Sequence, residues 1–66
     1  MIKKSMSING HKTSVSLEKE FWDQLNFIAK KKNISLSKLV SNIDFENEKS
    51  INLASCLRIY CLNKKV

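Results

Sequence analysis

Three polar side chains recur at every second position in the segment 12–17, Lys-Thr-Ser-Val-Ser-Leu. At a period of two residues, Lys12, Ser14 and Ser16 lie on one face of a β-strand. The opposite face consists of Thr13, Val15 and Leu17. The polar face carries a cation and two hydroxyl groups that both donate and accept hydrogen bonds. These side chains are suited to binding a polar or anionic partner, while the apolar face is suited to packing on a core.

Residues of the types used in catalysis or metal binding are few. His11 is the only histidine, no acidic residue lies near it in sequence, and we expect it to pack at the start of the strand. Cys56 and Cys61 are the only cysteines. Their spacing of five places them on different sides of a helix, which favours reduced, buried thiols over a disulfide or a zinc site. The sequence therefore predicts no catalytic residue, no metal site, no cofactor and no enzyme.

A second candidate binding feature is the start of a predicted helix at Ser35. Ser35 is a typical N-cap, and Ser37 and Lys38 follow it with no acidic residue nearby. Free amides and the positive end of the helix dipole favour an anion such as phosphate at this position. A serine N-cap is also common in helices that bind nothing, so the residues alone leave both interpretations open.

The strand at residues 12–17 finds no second strand in the sequence pattern. A single strand leaves backbone N–H and C=O groups unpaired along both of its edges. The simplest remedy is antiparallel pairing with the same strand of a second copy about a two-fold axis. We therefore expect an intertwined homodimer with an intermolecular two-stranded ribbon. Dimerisation would also enlarge the core, because a chain of this size buries only about 60% of its unfolded surface alone.

Two helices are predicted directly behind this strand from apolar residues that recur with helical spacing. The first runs from Glu18 to Lys32 and ends at Asn33, a residue that tolerates a left-handed conformation. The second starts after Ser35, and we expect it to fray from Asp44 into a polar connection that reaches residue 49.

A third helix is predicted after a cap at Ser50 or Asn52, and it runs to about Leu62. It is apolar on nearly all sides, which is typical of a helix that is covered from several directions. Phe27 falls off the apolar stripe of the first helix, and the sequence leaves it either exposed or covered by a partner. The core predicted between two chains consists of Thr13, Val15, Leu17, Phe21, Trp22, Leu25, Leu39, Val40, Ile43 and Leu57.

The chain is expected to form one domain with two short terminal extensions. Residues 1–9 are predicted to be a flexible basic arm, residues 10–62 the folded domain, and residues 63–66 a frayed tail. Lys3 and Lys4 in the arm are candidate phosphate contacts, and a solvated charged tail is an equally good interpretation.

The charge balance favours a polyanionic partner. The formal net charge is +6 per chain, hence twice that, +12, for two copies. Positive charge alone does not separate nucleic acid from an anionic membrane surface. No apolar run approaches the roughly 20 residues needed to span a bilayer, and no signal-peptide pattern opens the chain, so we expect a cytoplasmic location without membrane contact.

Several of these segments match a known family. Residues 13–17, an amphipathic helix, and Asn-Ile-Ser-Leu-Ser at 33–37 together resemble the ribbon-helix-helix superfamily of bacterial and phage repressors, the Arc and methionine repressor-like proteins. The string His-Lys-Thr-Ser-Val-Ser-Leu-Glu at 11–18, with Phe21-Trp22 and the Asn-Leu-Ala-Ser string at 52–55, resembles a small bacterial subgroup with an extra C-terminal helix. The resemblance covers roughly residues 10–62.

The resemblance implies a sequence-specific DNA-binding transcriptional regulator, a repressor, whose dimeric ribbon enters the major groove of double-stranded DNA. The residues that would contact base edges are Lys12, Ser14 and Ser16. Those that would contact phosphates at the second helix are Ser35, Leu36, Ser37 and Lys38. Assembly beyond a dimer on DNA stays open. The alternative is a protein-interaction module or an antitoxin-like partner-binding protein of the same fold.

Overall fold

The computed structural model describes residues 1–46 and 52–63. Two strands precede three helices along the chain: β1 (Ile2–Ile8), β2 (His11–Leu17), α1 (Lys19–Lys32), α2 (Leu36–Glu46) and α3 (Leu53–Asn63). The predicted order of a ribbon, a helix pair and a third, C-terminal helix is confirmed, whereas the ribbon contains two strands of this chain where one was predicted.

Both strands of the sheet come from the same chain, which corrects the expectation of a lone strand. β1 pairs with β2 in antiparallel register from Ile2 opposite Leu17 to Ile8 opposite His11. The prediction of a flexible arm at residues 1–9 was therefore wrong for residues 2–8, and the two-stranded ribbon does not require a second copy.

A two-residue turn at Asn9 and Gly10 closes this hairpin. Both residues have positive φ angles, 54° and 82°, and such angles are required at the two central positions of a type I′ turn. Asn-Gly is the favoured pair for that turn because each residue enters the left-handed region at low cost. A loop this short also makes pairing within the chain entropically cheaper than association with a second chain, which loses translational and rotational freedom.

The two faces of the ribbon differ in burial. Cross-strand partners share a face, so the even-numbered residues of β1 lie on the same side as the odd-numbered residues of β2. Ile8, Val15 and Leu17 are buried on this inner side against the helices, with β1 packed on α2 and β2 on α3. The opposite face points away from the core.

One chain is sufficient to bury most of the predicted core. Thr13 and Phe21 are half-buried, and the other eight predicted residues are buried within a single chain. Trp22 is the largest of the fully buried side chains, with 1% of its surface exposed. Prediction of these residues as core is thus consistent with the packing, but their burial does not depend on a second copy.

The helix ends follow the expected capping pattern, with one difference. Asn33 ends α1 with a φ of 61°, and its amide donates to the carbonyl of Lys30. Ser35 caps α2 and Asn52 caps α3, since their side-chain oxygens accept from the amides three residues later. α2 continues beyond Asp44, where fraying was expected, and is helical to Glu46, the last residue described before position 52. The alternative cap at Ser50, the rest of the polar connection and the tail from residue 64 lie outside the described residues.

Over residues 1–46 and 52–63, no helix combines the length and apolar character that a bilayer span requires.

Candidate nucleic-acid interface

The outward face of the ribbon carries only lysine and serine side chains. From β2 these are Lys12, Ser14 and Ser16, as the alternation predicted, and from β1 they are Lys3, Ser5 and Ser7. All are exposed except Ser16, which is half-buried. No acidic residue occurs in the first 17 positions. The face therefore offers cationic and hydroxyl donors without a competing carboxylate.

The centre of this face is occupied by a pair of serines. Ser5 and Ser14 lie opposite each other in the register, and their Oγ atoms are 3.0 Å apart, within hydrogen-bonding distance. Each hydroxyl can donate to the other or accept from it, so one donor remains available to an outside acceptor.

Lys3 and Lys4, predicted together as phosphate contacts on an arm, lie on opposite faces of β1. Lys3 is exposed on the outward face, whereas Lys4 is half-buried on the inner face. The Nζ atom of Lys4 lies 5.7 Å from the centroid of the Trp22 ring, a cation–π distance. Only Lys3 shares a face with Lys12, so the two adjacent lysines differ in what they can reach.

The hairpin is fixed to the helices at both of its ends. Near the N-terminus, the indole Nε1–H of Trp22 donates to the carbonyl oxygen of Ile2 at 2.8 Å, joining α1 to β1. At the turn, the Oγ–H of Ser41 donates to Oδ1 of Asn9 at 2.9 Å, and Nδ2 of Asn9 lies 3.5 Å from an oxygen of Asp44. These contacts hold the outward face in one orientation relative to α2.

An ion pair joins the end of β2 to α3. Nε of Arg58 donates to Glu18 at 3.0 Å, and a terminal nitrogen of Arg58 lies 3.4 Å from the second oxygen of the same carboxylate. The hydrogen bond from Arg58 lowers the pKa of Glu18 below its ordinary value. Glu18 lies between β2 and α1, so this contact holds the end of the ribbon against the third helix.

The first turn of α2 presents unbonded amides next to basic residues. The backbone amide of Lys38 donates to Oγ of Ser35, and the backbone amide of Leu39 donates to the carbonyl oxygen of Ser35. The amides of Leu36 and Ser37 have no intrahelical acceptor at this position. An open groove of about 480 Å³ beside them is lined by Asn26, Ala29, Lys30, Asn33, Ile34, Ser35 and Leu36. Ser35 and Lys38 are exposed, and Leu36 and Ser37 are half-buried.

The residues considered for metal binding or catalysis do not come together. His11 is exposed rather than packed at the start of β2, which is a correction to the expectation. Cys61 is buried and Cys56 is half-buried, and desolvation raises the pKa of both thiols. Among residues 1–46 and 52–63, no cluster of three or more His, Cys, Asp or Glu side chains is placed to hold a metal ion.

The part of the site that the sequence did not predict is the contribution of β1. Lys3 was predicted as a phosphate contact on a flexible arm, and Ser5 and Ser7 were not considered. The signal was present as the Asn9-Gly10 pair, which is typical of a hairpin turn when alternating segments flank it.

Comparison with protein families identifies the fold. A family model described as a ribbon-helix-helix domain matches residues 1–65, so the chain belongs to the ribbon-helix-helix family. No curated protein and no solved structure gives a significant match. Ribbon-helix-helix domains are in general DNA-binding regulators that dimerise, and they are typically non-enzymatic.

Proposed function

We propose that this protein is a sequence-specific DNA-binding transcriptional regulator, a repressor of the bacterial cytoplasm, that inserts its two-stranded ribbon into the DNA major groove. The observation that carries this proposal is the outward face of the ribbon, which is polar, basic, free of acids and fixed on a helical platform. A face made only of lysine and serine has little use in packing, whereas it matches the acceptors exposed in a groove.

The dimensions of the ribbon fit this groove. Neighbouring strands lie about 4.8 Å apart, and the major groove of B-DNA is about 12 Å wide, so it admits two strands with their side chains. Lys12 can reach the O6 and N7 acceptors of guanine, while Ser14 and Ser16 can donate to or accept from several bases. We therefore expect the strongest preference at base pairs that face lysine and weaker preference elsewhere.

The N-terminus of α2 is the proposed phosphate anchor. The amides of Leu36 and Ser37 and the dipole of a helix of 11 residues favour a phosphate oxygen. Ser35 supports this geometry by capping the helix, and Lys38 adds an exposed positive charge. Contacts of this kind position a protein on the duplex, while the ribbon reads the sequence.

Fluorescence anisotropy with labelled duplexes, recorded over a series of salt concentrations, tests the proposal. Affinity should fall steeply with salt, because basic residues release counterions from the phosphates. Lys12→Ala should weaken binding and loosen base preference. The control is Lys19→Ala, which removes the same charge from α1, where Lys19 is exposed and paired with Asp23 at 2.7 Å.

Two results would refute this function. Binding to duplex DNA that does not change with salt would contradict the electrostatic part. Lys12→Ala and Lys19→Ala variants that keep the same base preference would contradict reading by the ribbon. A variant Ser35→Ala should instead lower affinity about evenly across sequences, because it weakens the helix cap without touching the ribbon.

The protein is further proposed to act as a homodimer. Support comes from the general behaviour of the family and from apolar side chains that one chain leaves exposed: Phe45 has 84% of its surface exposed and Leu62 has 73%. Sedimentation equilibrium should give a dimer at micromolar concentration, and Phe45→Ser or Leu62→Ser should shift it towards monomer. A monomer at all concentrations would refute this assembly.

Another exposed apolar side chain favours one alternative function. Phe27 on α1 has 52% of its surface exposed, and the Lys31 ammonium lies 5.7 Å from the centroid of its ring. A protein-interaction module or an antitoxin-like protein of this fold would use such a side chain to bind a different protein. Co-purification with the product of a neighbouring gene, lost in Phe27→Ser, would favour that function.

A further inference from the structure

The two strands of the ribbon carry the same sequence pattern. Residues 3–8 read Lys-Lys-Ser-Met-Ser-Ile, and residues 12–17 read Lys-Thr-Ser-Val-Ser-Leu. Lysine, serine and serine recur at the outward positions of each strand, and an aliphatic residue ends each segment. The offset between the two segments is nine residues, so this is an internal repeat within the hairpin.

The register converts this repeat into two-fold symmetry. Ser5 lies opposite Ser14, and the pairs on either side of it are Lys3 with Ser16 and Ser7 with Lys12. A half-turn about an axis through the Ser5–Ser14 pair, perpendicular to the sheet, exchanges the strands and moves each residue onto the one nine positions away. Lysine then falls on lysine and serine on serine, so the outward face has a local two-fold axis within one chain.

We propose that β1 supplies the second half of the DNA-reading face, with Lys3, Ser5 and Ser7 contacting bases as the two-fold equivalents of Lys12, Ser14 and Ser16. This inference rests on the proposed function, because it requires that the ribbon read DNA. It goes beyond that function in one respect: a single chain presents both halves of a symmetric DNA-reading surface, without a strand from a second copy.

The partner that fits this surface is a short inverted repeat in duplex DNA. Local two-fold axes relate the strands of a duplex, and a palindromic sequence extends that symmetry to the bases. Lys3 and Lys12 are four register positions apart along the ribbon, about 13 Å at 3.3 Å per residue. That distance corresponds to about four base-pair rises, so each lysine can face a guanine on its own side of the centre.

The experiment selects bound duplexes from a random pool with the full chain and with three variants, followed by anisotropy on the selected sites. Lys3→Gln and Lys12→Gln each remove one outward lysine. Lys4→Gln is the matched control, since it removes the same charge from the same strand but from the opposite face. Circular dichroism melting of each variant verifies that the hairpin is folded.

The expected result for the unmodified chain is a symmetric consensus within the short segment bound by one ribbon, in addition to any symmetry between the two segments that a homodimer would bind. Lys3→Gln and Lys12→Gln should then select the same altered consensus, in which preference remains on one side of the centre and is lost on the other, because a two-fold face binds in either orientation. Each should reduce affinity for the symmetric site by about 5- to 150-fold. Lys4→Gln should keep the symmetric consensus.

Different failures separate this inference from the proposed function. If Lys3→Gln behaves as Lys4→Gln while Lys12→Gln loosens base preference, then the ribbon reads DNA through β2 alone and the inference is wrong. An asymmetric consensus within the segment bound by one ribbon of the unmodified chain also overturns it. If the unmodified chain selects no duplex, the proposed function and the inference both fail.

Discussion

The turn that closes the hairpin offers the most direct test of a ribbon made within one chain. Gly10 has a φ of +82°, a value at which L-residues other than Asn and Asp are strained. A Cβ atom added to Gly10 would meet no heavy atom within 4 Å. Gly10→Ala therefore changes the backbone energy of the turn without introducing a steric clash, which makes its effect interpretable.

The magnitude follows from two opposing effects. A left-handed conformation costs an L-alanine about 1–2 kcal/mol. Replacing glycine also reduces the conformational freedom of the unfolded chain, which stabilises the fold by about 0.4–1 kcal/mol. We expect a net loss of about 1 kcal/mol in the free energy of unfolding. For a domain of this size that corresponds to a melting temperature about 4–8 °C lower.

Urea and thermal unfolding monitored by circular dichroism measure this loss. The matched control is Gly10→Asn, because asparagine enters the left-handed region more readily than alanine and already does so at Asn9. The control should lose less stability than Gly10→Ala. A Gly10→Ala variant as stable as the unmodified chain, or more stable, would refute the hairpin, because that result is expected if Gly10 merely joins a free arm to β2.

Three further predictions concern contacts that hold the ribbon and the third helix. Trp22→Phe removes the donor to the Ile2 carbonyl and replaces the largest fully buried side chain with a smaller ring, so it should lower the free energy of unfolding by about 1–3 kcal/mol in urea titration. Arg58 lowers the pKa of Glu18 below its ordinary value of 4.5. The ionised carboxylate therefore stabilises the fold at pH values above 4.5, and this contribution is lost as the pH falls through the lowered pKa. Arg58→Gln should therefore reduce the acid dependence of the melting temperature; an unchanged dependence would contradict the ion pair. Burial raises the pKa of Cys61, so iodoacetamide at pH 8 should modify its thiol slowly until urea unfolds the chain.

The features predicted correctly from sequence are those fixed by local chemistry. The alternation at residues 12–17 predicted a strand with the correct inner and outer faces, because among regular structures only a β-strand places every second side chain on the same face. Asn33 and Ser35 were predicted as helix terminator and cap, and both act in this way. These residues need only their own backbone and the next turn, so a sequence pattern is sufficient to assign them.

The features that sequence did not predict depend on contacts distant along the chain. β1 was overlooked because Lys4 occupies an inner position and breaks the apolar alternation, although its ammonium is accommodated over Trp22. The end of α2 was placed too early, at Asp44. In the structure a side-chain oxygen of Asp44 lies 3.5 Å from Nδ2 of Asn9 in the hairpin turn. The helix continues past Asp44 to Glu46.

The hairpin also limits how two copies can bind DNA together. β1 covers one edge of β2, so a second copy could pair only with a free outer edge of the hairpin and would create a sheet of four strands. The outer strands of such a sheet would lie about 14 Å apart, wider than the major groove of about 12 Å. If both hairpins enter the groove, we therefore expect two copies to associate through another surface, such as the exposed side chains of Phe45 and Leu62. In that arrangement the two-fold symmetry proposed for each ribbon comes from the repeat of residues 3–8 in residues 12–17, and the contact between chains sets only the spacing of the two sites.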